Sequence, residues 1–178
     1  MSFSEPTIKN PATAIIEFKG DAGIFQYYDK EKKEAITIPL PFYFIVLDEL
    51  SCISGYCEKT KSGIHSNEVH WIKTETLDVR TYMGGEGASG LYKDISDRIK
   101  ILGGKYCKSV YAMLIQEGPP EIVNFQFKGA AFSAWLDKKI DVQKFAVGII
   151  EIMPAQKGNI NYFMPTFEAF EITQQQRE

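Results

Sequence analysis

The stretch from Gly84 to Leu136 restricts the fold more than any other part of the chain. Within it the apolar spacing switches from that of a helix to that of strands and back again. It opens on a glycine loop, Gly84-Gly85-Glu86-Gly87-Ala88-Ser89-Gly90. Leu91, Ile95, Ile99 and Leu102 then follow at helical spacing, and Gly103-Gly104 stops the helix. A strand is expected from Lys105 to about Gln116, a turn at Gly118-Pro119-Pro120, and a strand from Glu121 to Lys128. A second helix starts near Gly129, with Phe132, Trp135, Leu136 and Ile140 on one side.

The rest of the chain reads as strands joined by polar turns. Ala14 to Phe18 and Ile24 to Asp29 come first. The charged run from Asp29 to Glu34 is a solvated connection, and Ala35 to Leu40 returns from it. Pro39 and Pro41 bracket Leu40, so a ladder breaks there or lies at an edge. Phe42 to Leu47 is apolar at every position, as expected of a strand covered on both faces, and Asp48-Glu49 is expected to end it. Cys52 to Tyr56, Glu68 to Lys73 and Leu77 to Met83 follow as strands. Phe145 to Met153 and Asn161 to Ile172, the latter interrupted by Pro165, close the chain. Phe125 and Phe127 alternate with Asn124 and Gln126, which assigns both phenylalanines to the core.

About nine or ten short strands and two helices make a mainly β fold, with hairpins rather than parallel crossovers. The expected architecture is a Greek-key barrel of the oligonucleotide-binding (OB-fold) type with two short helices. A loose lead over 1–13, a single domain over 14–172 and a polar tail over 173–178 complete it. At 178 residues the chain suits one domain. No apolar run approaches the ~18 residues of a membrane span, and the first ten residues lack the basic-then-apolar pattern of a signal peptide. A cytoplasmic location is therefore expected. Three cysteines, Cys52, Cys57 and Cys107, cannot all pair within the chain, and reduced thiols are the expectation.

Charge is unevenly spread. Residues 1–88 hold nine Lys/Arg against thirteen Asp/Glu, whereas residues 89–139 hold eight against five. Residues 140–178 hold three against five. An acidic partner would meet the middle of the chain. A pI near 5.5 excludes coating of nucleic acid by bulk charge alone.

Three motifs carry chemistry. Gly85 to Gly90 matches G-x-G-x-x-G, a dinucleotide fingerprint when it joins a buried parallel strand to a helix. The preceding Leu77 to Tyr82 alternates instead, Glu86 would face the pyrophosphate, and a hairpin follows the helix. A loop capped by Ser89 and a helix start offering N–H groups to a phosphate are the other readings. Cys52, Cys57, His65 and His70 are residue types that hold zinc, but the middle gap is short and the odd cysteine spacing puts the thiols on opposite faces of a strand. No catalytic constellation appears: the two histidines lie in polar stretches, and no G-x-S-x-G or H-E-x-x-H is present. The reading is non-enzymatic, with no cofactor and no metal.

Basic and aromatic residues interleave: Tyr56 with Lys59 and Lys61, Trp71 with Lys73, Arg80 with Tyr82, and Lys105 with Tyr106 and Lys108. On a strand, residues two apart share a face, so Trp71 joins Lys73, Arg80 joins Tyr82 and Tyr106 joins Lys108. Single-stranded nucleic acid is held by this pairing, cations meeting phosphates and rings stacking on bases. The competing reading places half of these rings in the core, with the lysines solvated.

Phe42 to Leu50, Ser66 to Val69, Gly90 to Ile95 and Lys128 to Trp135 together resemble the small phage-type single-stranded DNA-binding proteins of phages and mobile elements of gut Bacteroidales. The resemblance spans most of residues 14–170 and is one of overall texture rather than of a mechanistic motif. It implies an oligonucleotide-binding barrel, no catalysis, and a role in DNA replication or recombination in a bacterial host cytoplasm. Its partners would be single-stranded DNA, replication or recombination proteins, and further copies of the chain. One departure is the tail: Gln174 to Glu178 is nearly neutral, where such proteins often end in acids that recruit partners. The alternatives are a self-assembling structural protein and a nucleotide-binding enzyme using the Gly85–Gly90 loop.

Overall fold

A long central strand, β4 (Phe42–Cys57), is the spine of the computed structural model, which describes residues 10–85, 87–116 and 119–171. The expected break at Asp48-Glu49 is absent, and the expected strand at Cys52 is the second half of β4. The strand continues because a bulge absorbs the change of pattern. Its register on β8 (Gly104–Ile115) shifts between Val46 and Asp48, leaving Leu47 as the extra residue. One inserted residue swaps which side chains point each way. Phe44 and Val46 before the bulge therefore share a face with Glu49, Ser51 and Ile53 after it.

β1 (Ala14–Lys19), β2 (Ile24–Asp29) and β3 (Glu34–Ile38) form a meander on one side. β5 (Ser62–Ser66), β6 (Thr76–Thr81) and β7 (Gly87–Leu91) form one on the other. With β9 (Glu121–Phe127) the order is β3-β2-β1-β9-β8-β4-β5-β6-β7. β1 pairs with β9 in parallel; the remaining ladders are antiparallel. β10 (Phe145–Lys157) pairs with the start of β4 and with β11 (Ile160–Glu171).

The mainly β expectation holds, but the eleven-stranded sheet is not closed into a barrel. β11 returns to the β1–β2 turn, where Phe163 N–H donates to the Gly20 carbonyl at 2.7 Å, yet no ladder joins it to β1 among the described residues. The reason lies in β4. Its first residues pair with β10 and its last with β5, so the sheet branches instead of curling shut. β11 runs unbroken through Pro165, which lies opposite Ile152 at a register irregularity where a missing N–H is tolerated.

Both helices, α1 (Tyr92–Leu102) and α2 (Gly129–Asp137), pack on one face. Under α2 lies a core of Phe25, Phe44, Phe125, Phe127 and Trp135; under α1 lies one of Ile53, Ile64, Leu77, Val79 and Ile99. Phe125 and Phe127 are buried as expected. Trp135 donates its indole N–H to Glu49 at 2.8 Å, which explains why an acid is tolerated on the covered face. No helix is long and apolar enough to cross a membrane among the described residues. Most of the expected lead, the expected tail, Glu86 of the expected glycine loop and Gly118 of the expected turn lie outside the described residues.

α1 ends where the backbone turns into β8 across β4. Gly103 has φ +92°, and a Cβ there would run into the Tyr56 carbonyl. A Gly103→Ala variant combines a left-handed conformation with a backbone clash. We expect it to lower stability by at least about 2 kcal/mol, read as a drop in the urea midpoint at unchanged m-value.

Candidate nucleic-acid interface

The face of the sheet opposite the helices is the candidate surface. Ladder register decides which residues reach it, because directly paired residues point the same way. Lys105 is paired with Ser54, Cys107 with Cys52, and Ser109 with Gln126. Glu17 is paired with Gln126, and His65 with Ser54. Lys19 and Lys128, two residues along from Glu17 and Gln126, extend the same rows.

Two adjoining clefts open here, the smaller on this face and the larger at the strand ends, where Gly129, Ala130 and Ser133 of α2 also line it. The larger, about 1180 Å³, lies between the ends of β1, β4 and β9 and the β10–β11 hairpin. Lys19, Lys105, Lys128 and Lys157 line it with Tyr56 and Tyr162, against the acids Glu17 and Glu58. The smaller, about 550 Å³, is lined by His65, Glu68, Tyr82 and Gln126, and shares Glu17, Ser54 and Gly55 with the first. Lys128 marks the junction: its Nζ lies 2.7 Å from Glu17 Oε1 and 3.3 Å from Ser54 Oγ. It is placed there by the extended end of β9, before Gly129 at φ +55° turns the chain into α2.

Burial alone would raise the Glu17 pKa. The hydrogen bonds and charges of Lys128 and Lys19 outweigh burial and hold the carboxyl below its ordinary value. A carboxyl with a depressed folded pKa adds stability above its unfolded pKa and loses it as pH falls through the folded one. The stability gap between the wild type and Glu17→Gln should therefore narrow as pH falls from 7 to below about 4, followed by urea unfolding at each pH.

Of the sequence-derived site residues, Tyr56 and Lys105 line the larger cleft. Lys59 and Lys61 lie in the β4–β5 turn just beyond Tyr56, where Lys61 pairs with Glu58 at 2.6 Å. Tyr82 lines the smaller cleft, its ring stacked on His65 at 4.3 Å. Arg80 is opposite His65 on β6 and pairs with Asp78. Tyr82 falls just past the end of β6, in the turn rather than on the strand.

Four residues do not join this group. Trp71 and Lys73 are exposed, but they sit in the loop between β5 and β6, not on a strand. That segment is held to the sheet by one backbone bridge, Ser51 with Val69, and by side-chain bonds from Ser109 and Tyr111 to Glu68 and between His70 and Asp48, while the Trp71 N–H on Glu75 closes the loop on itself. Tyr106 and Lys108 share a face as expected, but it is the helix-covered one. Tyr106 bonds Ser51 through its hydroxyl at 2.9 Å and packs on Tyr92 and Phe132. Strand alternation places Lys105 on the opposite side from both. Lys19, Lys128, Lys157 and Tyr162 were missed because each stands beside a turn, without a basic-aromatic repeat around it.

The other motifs dissolve into structure. Gly87 to Leu91 is an edge strand antiparallel to β6, not a phosphate loop. A Cβ on Gly87 would sit 2.7 Å from the Val79 carbonyl, so these small residues serve close strand approach. Ser89 does not cap α1, whose N-cap is Leu91 with no side-chain bond. Cys52 and Cys57 point to opposite faces as their spacing requires. His70 pairs with Asp48 at 3.1 Å, and no group of three metal-ligating side chains exists among the described residues. No disulfide joins the three cysteines. The hydrogen bond with Cys52 and burial push the Cys107 thiol far up, so it stays protonated.

Comparison with protein-family models, with curated proteins and with solved structures finds no match for the chain.

Proposed function

We propose that this chain binds single-stranded DNA across the open face of its sheet, without a required sequence, in the replication or recombination of a phage or mobile element within a bacterial cytoplasm. The observation that carries the reading is the gathering of Lys19, Lys105, Lys128 and Lys157 around one cleft with Tyr56 and Tyr162. Cations beside exposed rings are what a flexible strand needs, and the sequence resemblance points the same way. The chain acts as a binding protein, not an enzyme, and replication or recombination proteins are its expected partners.

Fluorescence anisotropy with labelled oligo-dT over a salt series tests this. Each neutralised phosphate contributes about −0.7 to the slope of log affinity against log salt, so four engaged lysines give roughly −2.8. No complex at low salt would remove the proposal.

The second reading is self-assembly as a structural protein. Its support is the β10–β11 hairpin, which exposes Met153, Ile160 and Met164, the two methionines being cross-strand partners. Light scattering that finds large assemblies indifferent to added DNA would favour it.

A further inference from the structure

The larger cleft has two walls of different chemistry. Lys19, Lys105 and Lys128 stand on the side of the strand ends. The acids there, Glu17 and Glu58, are both paired with lysines. Ile160, Tyr162 and Met164 stand on the side of the hairpin, with Lys157 near its tip. These three alternate along β11 and so share one face, and Met153, the cross-strand partner of Met164, extends it. Ile160, Met153 and Met164 are exposed.

The apolar wall is held in place from behind. Phe163, on the other face of β11, donates its N–H to the Gly20 carbonyl at 2.7 Å. Its ring lies so close over Gly23 that a Cβ there would stand 2.8 Å from it. Both glycines belong to the turn that follows Lys19, so this turn ties the two walls together.

The hairpin is poorly suited to adding a strand. The Phe163 N–H leaves the hairpin, so this residue and its partner Pro154 point their backbone groups outward. Pro154 therefore removes a donor from the outer edge of β10, and Pro165, two residues on from Phe163, removes one from the outer edge of β11. What remains for a ligand is the exposed face, and that face looks onto lysines. A ligand that fits both walls is anionic along one side and apolar along the other. A single strand of DNA has this form, with phosphates on one side and unpaired base faces on the other. Thioethers are soft enough to pack on flat bases, and a tyrosine ring stacks on them.

We propose that the bound strand runs through the larger cleft with its phosphates towards Lys19, Lys105 and Lys128 and its bases turned against the β10–β11 hairpin, one of them stacked on Tyr162. The inference rests on the single-stranded DNA reading and deepens it by assigning the wall that meets the bases.

The test uses the full chain and oligo-dT, with affinity measured over a salt series for the wild type, Tyr162→Ala, Tyr162→Phe and Met164→Ser. Thermal melting of each variant checks folding. Losing one stacked base in Tyr162→Ala is expected to weaken binding about 5- to 150-fold at an unchanged salt slope, whereas Tyr162→Phe keeps the ring and the affinity. A second readout is a fully abasic oligonucleotide of the same length, which offers phosphates alone. The wild type should prefer oligo-dT to it, and Tyr162→Ala should lose most of that preference. If the wild type binds oligo-dT and folded Tyr162→Ala binds it equally well, the hairpin does not meet the bases, while the DNA-binding reading stands. Assemblies of the wild type that Met164→Ser dissolves and oligo-dT does not would give this face to a second copy and overturn the inference. If the wild type binds no oligonucleotide at low salt, the inference and the reading beneath it fall together.

Discussion

Lys105→Gln combined with Lys157→Gln should weaken oligo-dT binding by about 25-fold near 0.1 M salt, because each lost phosphate contact forgoes roughly 0.7 log units there. The salt slope should become shallower by about 1.4 for the same reason. This pair isolates binding from folding. Both lysines line the larger cleft, both are exposed, and neither makes an ion pair among the described residues. Lys128 and Lys19, by contrast, both pair with Glu17, so their removal would also disturb the sheet. Anisotropy titrations at several salt concentrations check the result. An unchanged affinity and slope would show that the cleft does not meet the backbone. Lys108→Gln is the matched control: on the covered face it should leave the slope as it is.

Phe125→Ala should cost about 3–5 kcal/mol, a large part of the ~5–15 kcal/mol that holds a domain together. Phe125 is fully buried on β9, between the parallel ladder to β1 and the antiparallel ladder to β8. Its ring meets Phe44 at 4.5 Å, Phe127 at 5.5 Å and Phe42 at 6.0 Å. Cutting it back opens a void that α2 and three strands must line, and close-packed neighbours relax only in part. Calorimetry should show the melting temperature falling by roughly 10–15 °C at this chain length. Trp71→Ala, at a ring 73% exposed on a loop, should stay within about 0.5 kcal/mol of the wild type. A Phe125→Ala variant that melts with the wild type would mean the aromatic layer is not the core.

Several elements were legible in the residues. Helical spacing from Leu91 to Leu102 and the double glycine after it agree with α1 and its left-handed cap at Gly103. The alternation of Phe125 and Phe127 with Asn124 and Gln126 put both phenylalanines in the core as expected, but Asn124 on the other side is buried too, donating to Ser109. The proline pair around Leu40 marked the gap between β3 and β4. Misreadings gathered where one residue changes parity or where a glycine serves packing. The bulge at Leu47 made a continuing strand look finished, and the Gly87–Leu91 edge strand looked like a loop.

The candidate surface divides along the same line. Period and turn chemistry act between near neighbours, so the residues alone determined the mainly β class, both helices and the inward side of most strands. Tertiary pairing decided everything that depends on distant segments meeting. The parallel ladder of β1 on β9 carries Lys19 and Glu17 towards Lys128, and the β10–β11 hairpin brings Lys157 and Tyr162 to the same cleft. The register of β8 on β4 turns Lys105 outward and Tyr106 under the helices. No local pattern encodes such meetings, because a strand's spacing says which residues share a side and not which side another strand will leave open.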